Sequence, residues 1–499
     1  MADLGDWAAA QPDAEAIVSP QGRRTFGELD ANANRLARAL RRRGLRSGDA
    51  VALLSGNRPE FAEAFFACQR AGLRLTPVNW HLTGDEAGYI VADCEAKAIL
   101  ADHAAGALAR AARAASRTCG VALAFGGGVE SFESYEEALA DESPDALADP
   151  TRGGTMLYTS GTTGRPKGVL RPNAASPVVA NIGGYAADGG DVHLCTGPLY
   201  HAAPLAFSMS IPLAFGATVV LMETWDAEHA LRLIAEHHVT HTHMVPTMFH
   251  RLLSLPERVR LGYDVSSLRH VLHGAAPCPV PVKHRIIEWF GPVVMEYYAA
   301  TEGVGSYVDA ATWLQRPGTV GLPVIPGQVI IGDDDGNPVP QGDVGLIYIR
   351  APEGLQFSYF KDDAKTESAY RGSYFTLGDV GYFDEDGYLF LTDRSANLII
   401  SGGVNIYPAE IDGLLLEHPA VADAATIGVP SEEWGEAVLS VIELQRGAVA
   451  SDGLAEELIM FCRERLAHFK CPKQIEFVDV LPRQDNGKIY KRLLREQRR

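Results

Sequence analysis

The chain has 499 residues, 46% of them hydrophobic and 21% charged, with 44 Lys and Arg against 63 Asp and Glu for a formal net charge of −19. That length exceeds what one hydrophobic core serves, so two or more domains are expected. The acidic balance argues against a nucleic-acid binder or a polybasic membrane anchor, and no apolar run is long enough for a transmembrane helix.

The first residues, MADLGDWAAAQPDAEA, are acidic and lack a basic segment followed by an apolar one, so no signal peptide is expected and a cytoplasmic location is. Thr25–Gly44 places Leu29, Ala33, Leu36, Ala37 and Leu40 at helical spacing, with Gly44 suited to end the helix. Ala50–Leu54 reads as a short apolar strand, Pro59 opens a second helix that ends at Gly72, and Leu73–Val78 reads as another strand. This alternation predicts doubly wound α/β layers. The Ala-, Glu- and Asp-rich stretch 107–150 is expected to be surface helix and linker. The seven cysteines are scattered, odd in number and without a C-x-x-C pair, which fits a reducing compartment and no disulfide framework.

Residues 158–169 read YTSGTTGRPKGV. Glycines allow tight turns and close approach to an anion, and successive N–H groups flanked by hydroxyls form an anion-binding concavity. The pattern is not Walker A: counting from Gly161, Pro166 stands where that motif needs Gly, and Gly168 where it needs Ser or Thr. The bland alternative is a polar hairpin. Further on, HHVTHTHM occupies 237–244; a strand over 239–245 would put His241 and His243 on one face, either as pocket lining and packing or as part of a metal site. From Gly318 to Leu391 short strands alternate with turns, including the hairpin signals Asp335-Gly336 and Asp386-Gly387. A compact β subdomain is therefore expected, with a boundary near Arg394. The remainder predicts strands near Ala424–Val429 and Val438–Leu444 and a helix over Leu454–Leu466. The last residues are basic, with Arg483, Lys488, Lys491, Arg492, Arg495, Arg498 and Arg499; they form either a solvated helix face or a docking place for a phosphate-rich partner.

The phosphate loop is followed in order by LYHAAP at 199–204, HGAAP at 273–277, EYYAATEG at 296–303, GTVGLPVIPG at 318–327, YFTLGDVGYFDEDGYL at 374–389, DRSANLIISGGVNIYPAEI at 393–411 and LPRQDNGKIYKR at 481–492. Together these resemble the adenylate-forming superfamily of acyl-CoA synthetases, aryl-CoA ligases, adenylation domains and luciferases, and most closely its acyl-CoA synthetases. The resemblance spans nearly the whole chain. It implies a large AMP-binding domain over 1–394 and a small, mobile α+β domain over 395–499, with ATP/AMP, Mg2+ and coenzyme A as cofactors. It implies a two-step reaction: an acid and ATP give an acyl-AMP and pyrophosphate, and CoA then displaces AMP.

Residue by residue, the resemblance implies that Thr159, Ser160, Gly161, Thr162, Thr163, Gly164 and Lys167 face the phosphates. Gly274, Ala275, Ala276, Tyr297, Tyr298, Ala299 and Thr301 surround the nucleotide, with Tyr298 against adenine. Asp379 accepts the ribose hydroxyls, as two carboxylate oxygens suit a vicinal diol, and Arg394 is a second ribose contact or a linker ion pair. Glu302, with Thr159, matches the magnesium position. Lys488 matches the lysine that stabilises charge during adenylation. Ser401, Gly402 and Gly403 match the face along which pantetheine passes. His201 matches a residue beside the acyl carboxylate. His201, Phe207, His243, Met244, Gly274, Ala300, Gly303 and Val304 match the acyl pocket, for a fatty, aromatic or bulky alicyclic, steroid-type acid. At the hinge this chain departs from the pattern, with Ala396 where Asp or Lys is usual. Two other outcomes are carried: transfer of the acyl group to a carrier protein or an amine, and a nucleotide-binding protein without turnover. A homodimer is the working expectation for assembly.

Overall fold

The computed structural model describes residues 3–159, 166–171, 182–186, 188–351, 354–394, 397–401, 404–431, 434–483 and 489–498. Ser160, Gly161, Thr162, Thr163, Gly164, Ala396, Gly402, Gly403 and Lys488 lie outside the described residues, as does the side chain of Arg394.

Local signals set the first layers. Thr25 and Glu28 form a reciprocal capping box at the start of the helix Phe26–Arg42, which buries Leu29, Ala33, Leu36, Ala37 and Leu40. The helix Pro59–Ala71 begins with proline in its first turn and ends at Gly72, whose φ of 75° is the left-handed geometry glycine adopts freely. The strands Ala50–Leu54 and Arg74–Val78 pair in parallel. In the same sheet, Ala50–Leu54 pairs with Ala96–Asp102, which pairs with Val121–Phe125. That last strand corrects the expectation for 107–150. VALAF is short but apolar, and Leu123 and Phe125 are wholly buried, so the stretch extends the sheet rather than merely spanning the surface.

On the other side of Arg74–Val78 the sheet continues through Gly154–Thr159, Lys167–Leu170 and Ser358–Tyr359. A second, larger sheet has a parallel centre: Glu15–Ser19, Thr218–Leu221, Val192–Cys195, His241–Met244, His270–His273 and Val294–Ala300. It then becomes antiparallel through Gly303–Val308, Thr319–Pro323, Leu389–Arg394, Tyr374–Phe383, Gly345–Arg350 and Val329–Gly332. The expected β subdomain is thus hydrogen-bonded into the parallel layer: Thr319–Pro323 pairs with Gly303–Val308 on one edge and Leu389–Arg394 on the other.

After Leu389–Arg394, the strand Ile399–Ser401 opens a separate sheet with Val404–Ile406, Gly435–Leu444, Val421–Ser431 and Gln474–Val478. Helices Pro408–Leu415, Asp452–Arg463 and Lys491–Glu496 accompany it, and Ile399, Ile406, Ile411, Leu415, Ile442 and Leu458 form its own core. The fold is a large α/β region with a β subdomain, followed by a small α+β unit. All seven cysteines are free. Among the described residues no helix is long and apolar enough to cross a membrane.

Candidate active site

In open parallel sheets the crevice lies beyond the carboxyl ends of the strands, and the predicted motifs gather there. Gly154–Thr159 and Lys167–Leu170 pair antiparallel with Thr159 opposite Lys167, so they bracket the glycine- and hydroxyl-rich segment. Lys167, expected to face phosphate, bonds Asp362 Oδ2 at 2.7 Å and lies 5.9 Å from the Tyr359 ring. Its ammonium holds the Asp362 carboxyl below the usual range, helped by the Lys365 amide. In this structure Lys167 therefore ties the root of the loop to the segment Ser358–Asp362.

Val294–Ala300 and Gly303–Val308 form a hairpin with Ala300 opposite Gly303, leaving Thr301 and Glu302 as its two-residue turn. A turn glutamate is ordinarily exposed, yet Glu302 is buried, and Tyr359 donates from its hydroxyl to Glu302 Oε1 at 3.1 Å. The Arg171 guanidinium donates to the Thr301 carbonyl at 3.4 Å. On the same sheet Asp379 stands opposite Arg394 in register, and the Tyr298 hydroxyl donates to Asp379 Oδ2 at 2.7 Å. Three predicted nucleotide residues, Tyr298, Glu302 and Asp379, are thus borne by hydrogen-bonded strands of one sheet. Tyr359 and Asp362 were not singled out from sequence; the pairing of Ser358–Tyr359 with Lys167–Leu170 brings Tyr359 here, and the bond to Lys167 brings Asp362.

The HGAAP turn leaves the strand His270–His273. A Cβ on Gly274 would stand 2.6 Å from the Tyr297 carbonyl oxygen, so the turn and the strand Val294–Ala300 lie this close only because residue 274 is glycine. Ala275 has φ of 68°, a left-handed geometry that costs a residue with a Cβ about 1–2 kcal/mol.

One face of the parallel strands carries an aromatic and imidazole layer. In register, His193, His241 and His270 stand side by side across three strands. His241 donates from Nε2 toward the Gly184 carbonyl at 3.2 Å, accepts at Nδ1 from Thr240, and stacks on Tyr185 at 4.3 Å. Two residues on, His243 Nε2 meets the Tyr297 hydroxyl at 2.9 Å, and Phe207 stacks on His243 at 5.9 Å and tilts against Tyr297 at 4.9 Å. Val304 and Ala299 pack in the same cluster. Burial holds His243 and His270 down at about 4 and keeps His193 well below its usual range, so this wall is neutral near pH 7. His241 and His243 share one face; both ring nitrogens of His241 and Nε2 of His243 are engaged with protein partners. Among the described residues no group of three or more His, Cys, Asp or Glu could hold a metal.

Three pocket and nucleotide assignments change. Met244 follows His243 and therefore points to the opposite face, where it lies fully buried against the helices. Tyr297, grouped with the nucleotide, alternates with Tyr298 and joins the His243–Phe207 wall instead. Gly303 turns toward the β subdomain, where an added Cβ would stand 2.9 Å from the Phe375 ring; its role is close packing, not pocket lining. His201 precedes the short helix Ala202–Leu205 and lies half-buried against Tyr200 at 4.7 Å. Ser401 stands opposite Val404 in the small sheet. Arg483 bridges to Ile489, and the Tyr490 amide donates to the Pro482 carbonyl at 2.8 Å.

The chain matches the AMP-binding enzyme family over residues 4–359 and the AMP-binding enzyme C-terminal domain over 410–488. It is 34% identical over 502 residues to feruloyl-CoA synthase of an Amycolatopsis species, covering 98% of this chain and 97% of that one. It is 33% identical to indoleacetate–CoA ligase of Aromatoleum aromaticum, with 98% and 97% covered. Among solved structures it superposes with a TM-score of 0.90 on the anthranilate CoA ligase AuaEII in complex with anthranoyl-AMP, at 25% identity and with 99% and 96% covered.

Proposed function

The chain belongs to the AMP-binding enzyme family and is an AMP-forming acid–CoA ligase, and we propose that its acid is a planar, ring-bearing one. ATP, AMP and coenzyme A follow from the family. The observation that carries the choice of acid is the wall of Phe207, His243 and Tyr297, which stack and hydrogen-bond among themselves. Aromatic rings prefer offset or edge-on contact with other rings, and a neutral imidazole supplies a flat surface without a competing charge. The feruloyl, indoleacetate and anthranilate ligases to which the chain is similar are named for such acids.

Residue roles follow the same reading. Residues 1–394 form the nucleotide-binding domain and 395–499 the mobile domain. Tyr298, Asp379 and Arg394 hold the nucleoside, with the Gly274–Ala276 turn against adenine. Glu302 and the Thr159 hydroxyl supply the hard oxygen donors that magnesium requires, and the buried Glu302 carboxylate fits that donor set. The ion would neutralise phosphate charge. Lys488 reaches the acid and the α-phosphate during adenylation and withdraws as Ser401–Gly403 receives pantetheine.

The test is pyrophosphate release over a panel of cinnamate, benzoate, indoleacetate and fatty acids, with and without CoA, with products followed by mass. Release with a matching thioester, strongest for the ring acids, supports the reading. A preference for straight-chain acids overturns the choice of acid, and pyrophosphate without thioester overturns CoA as acceptor.

A further inference from the structure

Behind the candidate nucleotide site, on the face of the sheet away from the acyl wall, lies a charge cluster that no assigned role uses. Lys283, on the helix Val280–Phe290, is fully buried. Its Nζ bonds Glu296 Oε2 at 2.5 Å and sits 4.6 Å from the Trp313 ring. Glu296, also buried, lies on the strand Val294–Ala300, which carries Tyr298 and leads into the turn bearing Glu302. His273, fully buried at the entry to the HGAAP turn, has its Nε2 3.8 Å from Glu296 Oε2. Neither of its ring nitrogens has a hydrogen-bond partner among the described residues.

We propose that Lys283 and Glu296 are positioning residues for the nucleotide, an ion pair that fixes the Gly274–Ala276 turn against the strand bearing Tyr298. The inference rests on the nucleotide-site reading above. A buried ion pair adds little net stability over apolar side chains of the same volume, because both charges lose their water. What it adds is a single geometry. Here that geometry joins the strand that enters the turn, the helix that leaves it, and the strand beside it. The turn needs such fixing: Gly274 touches Tyr297 with no slack, and Ala275 is held in left-handed backbone that only its surroundings can maintain.

The groups facing Glu296 are Lys283, His273 and Cys278; those facing Lys283 are Glu296, His273, Cys278 and the Trp313 ring, with His284 on the edge of that ring. Burial favours the neutral forms of His273 and Cys278, so Lys283 is the cation that matches Glu296. In Lys283→Met a proton on Glu296 or His273 becomes the only means of removing the uncompensated charge.

The experiment measures ATP binding by calorimetry, KM for ATP and for the acid, and Tm, for Lys283→Met, Glu296→Gln and the double variant. Each single variant should weaken ATP binding and raise its KM about tenfold while the acid KM stays within about twofold. In Lys283→Met the ATP KM should improve as pH falls from about 8.5 to about 6, a dependence absent in the unsubstituted enzyme. The double variant, with no stranded charge, should recover Tm but not ATP affinity. Should the single variants fail to fold, the double variant decides alone. Full recovery of ATP affinity in it, or equal rises in both KM values, overturns the proposal. Unsubstituted enzyme that binds no ATP overturns the nucleotide-site reading, and this proposal with it; normal binding there with unchanged binding in folded variants overturns this proposal alone.

Discussion

The Tyr298 hydroxyl donates a 2.7 Å hydrogen bond to Asp379 Oδ2, joining two buried side chains from strands separated by three others in the same sheet. Tyrosine and aspartate thus act on each other before any nucleotide arrives. The bond fixes the carboxylate plane, and a carboxylate oxygen can still accept a second donor such as a ribose hydroxyl.

Tyr298→Phe keeps the ring and removes only that bond. A hydrogen bond to a charged group contributes about 1.5–3 kcal/mol, so ATP affinity should fall about tenfold or more with the acid KM little changed. Steady-state kinetics with each substrate varied in turn checks this. An unchanged KM for ATP would show that Asp379 is oriented by other contacts.

Lys488→Ala should cripple pyrophosphate release but largely spare thioester formation from supplied acyl-AMP, because the lysine is assigned to the first half-reaction alone. Rapid-quench assays of the two halves separate the effects. Equal loss in both would refute the two-orientation account.

Gly274→Ala places a methyl group 2.6 Å from the Tyr297 carbonyl oxygen. Backbone must yield, at about 1–3 kcal/mol for overpacking. Thermal unfolding should show the lower stability, and ATP binding should weaken because the turn moves away from Tyr297. A variant with the original Tm and ATP affinity would mean that the turn is looser than its contacts indicate.

Acid should unfold this protein through its histidines. His243 and His270 titrate at about 4 in the folded chain, against about 6.5 when unfolded. The depressed folded value means that their neutral forms contribute stability in full above about pH 6.5, and that this is lost as pH falls toward 4. At pH 5 the loss is about 2 kcal/mol for each. Urea unfolding at pH 7.5 and pH 5 measures it, and His270→Leu should narrow the difference. Identical stability at the two pH values in the unsubstituted chain would contradict the burial of these rings.

Much of this arrangement was legible in the sequence. The first helices and strands carried periodicity, caps and turn glycines strong enough to be placed nearly to the residue, and the ordered motifs brought Glu302, Tyr298 and Asp379 to one sheet. Contacts between segments far apart in the chain left no local trace. Tyr359 reaches Glu302 only because Ser358–Tyr359 pairs with Lys167–Leu170, and Lys283 reads as an ordinary helix lysine until Glu296 is beside it. Met244 and Tyr297 were misassigned for a simpler reason. A motif match does not state which way a strand residue faces, and alternation puts neighbours on opposite sides.

The strand Thr319–Pro323 is bonded along both edges, so the carboxylate assigned to the metal and the carboxylate assigned to the sugar belong to one stiff plate. Lys488 falls in the C-terminal stretch of the chain, whose described residues build a separate sheet with its own core. On the proposed roles, holding the nucleotide and reacting it are tasks for separate pieces of chain. A protein ending at Arg394 should still capture ATP in a calorimeter while making no adenylate, in effect a vice without its hammer.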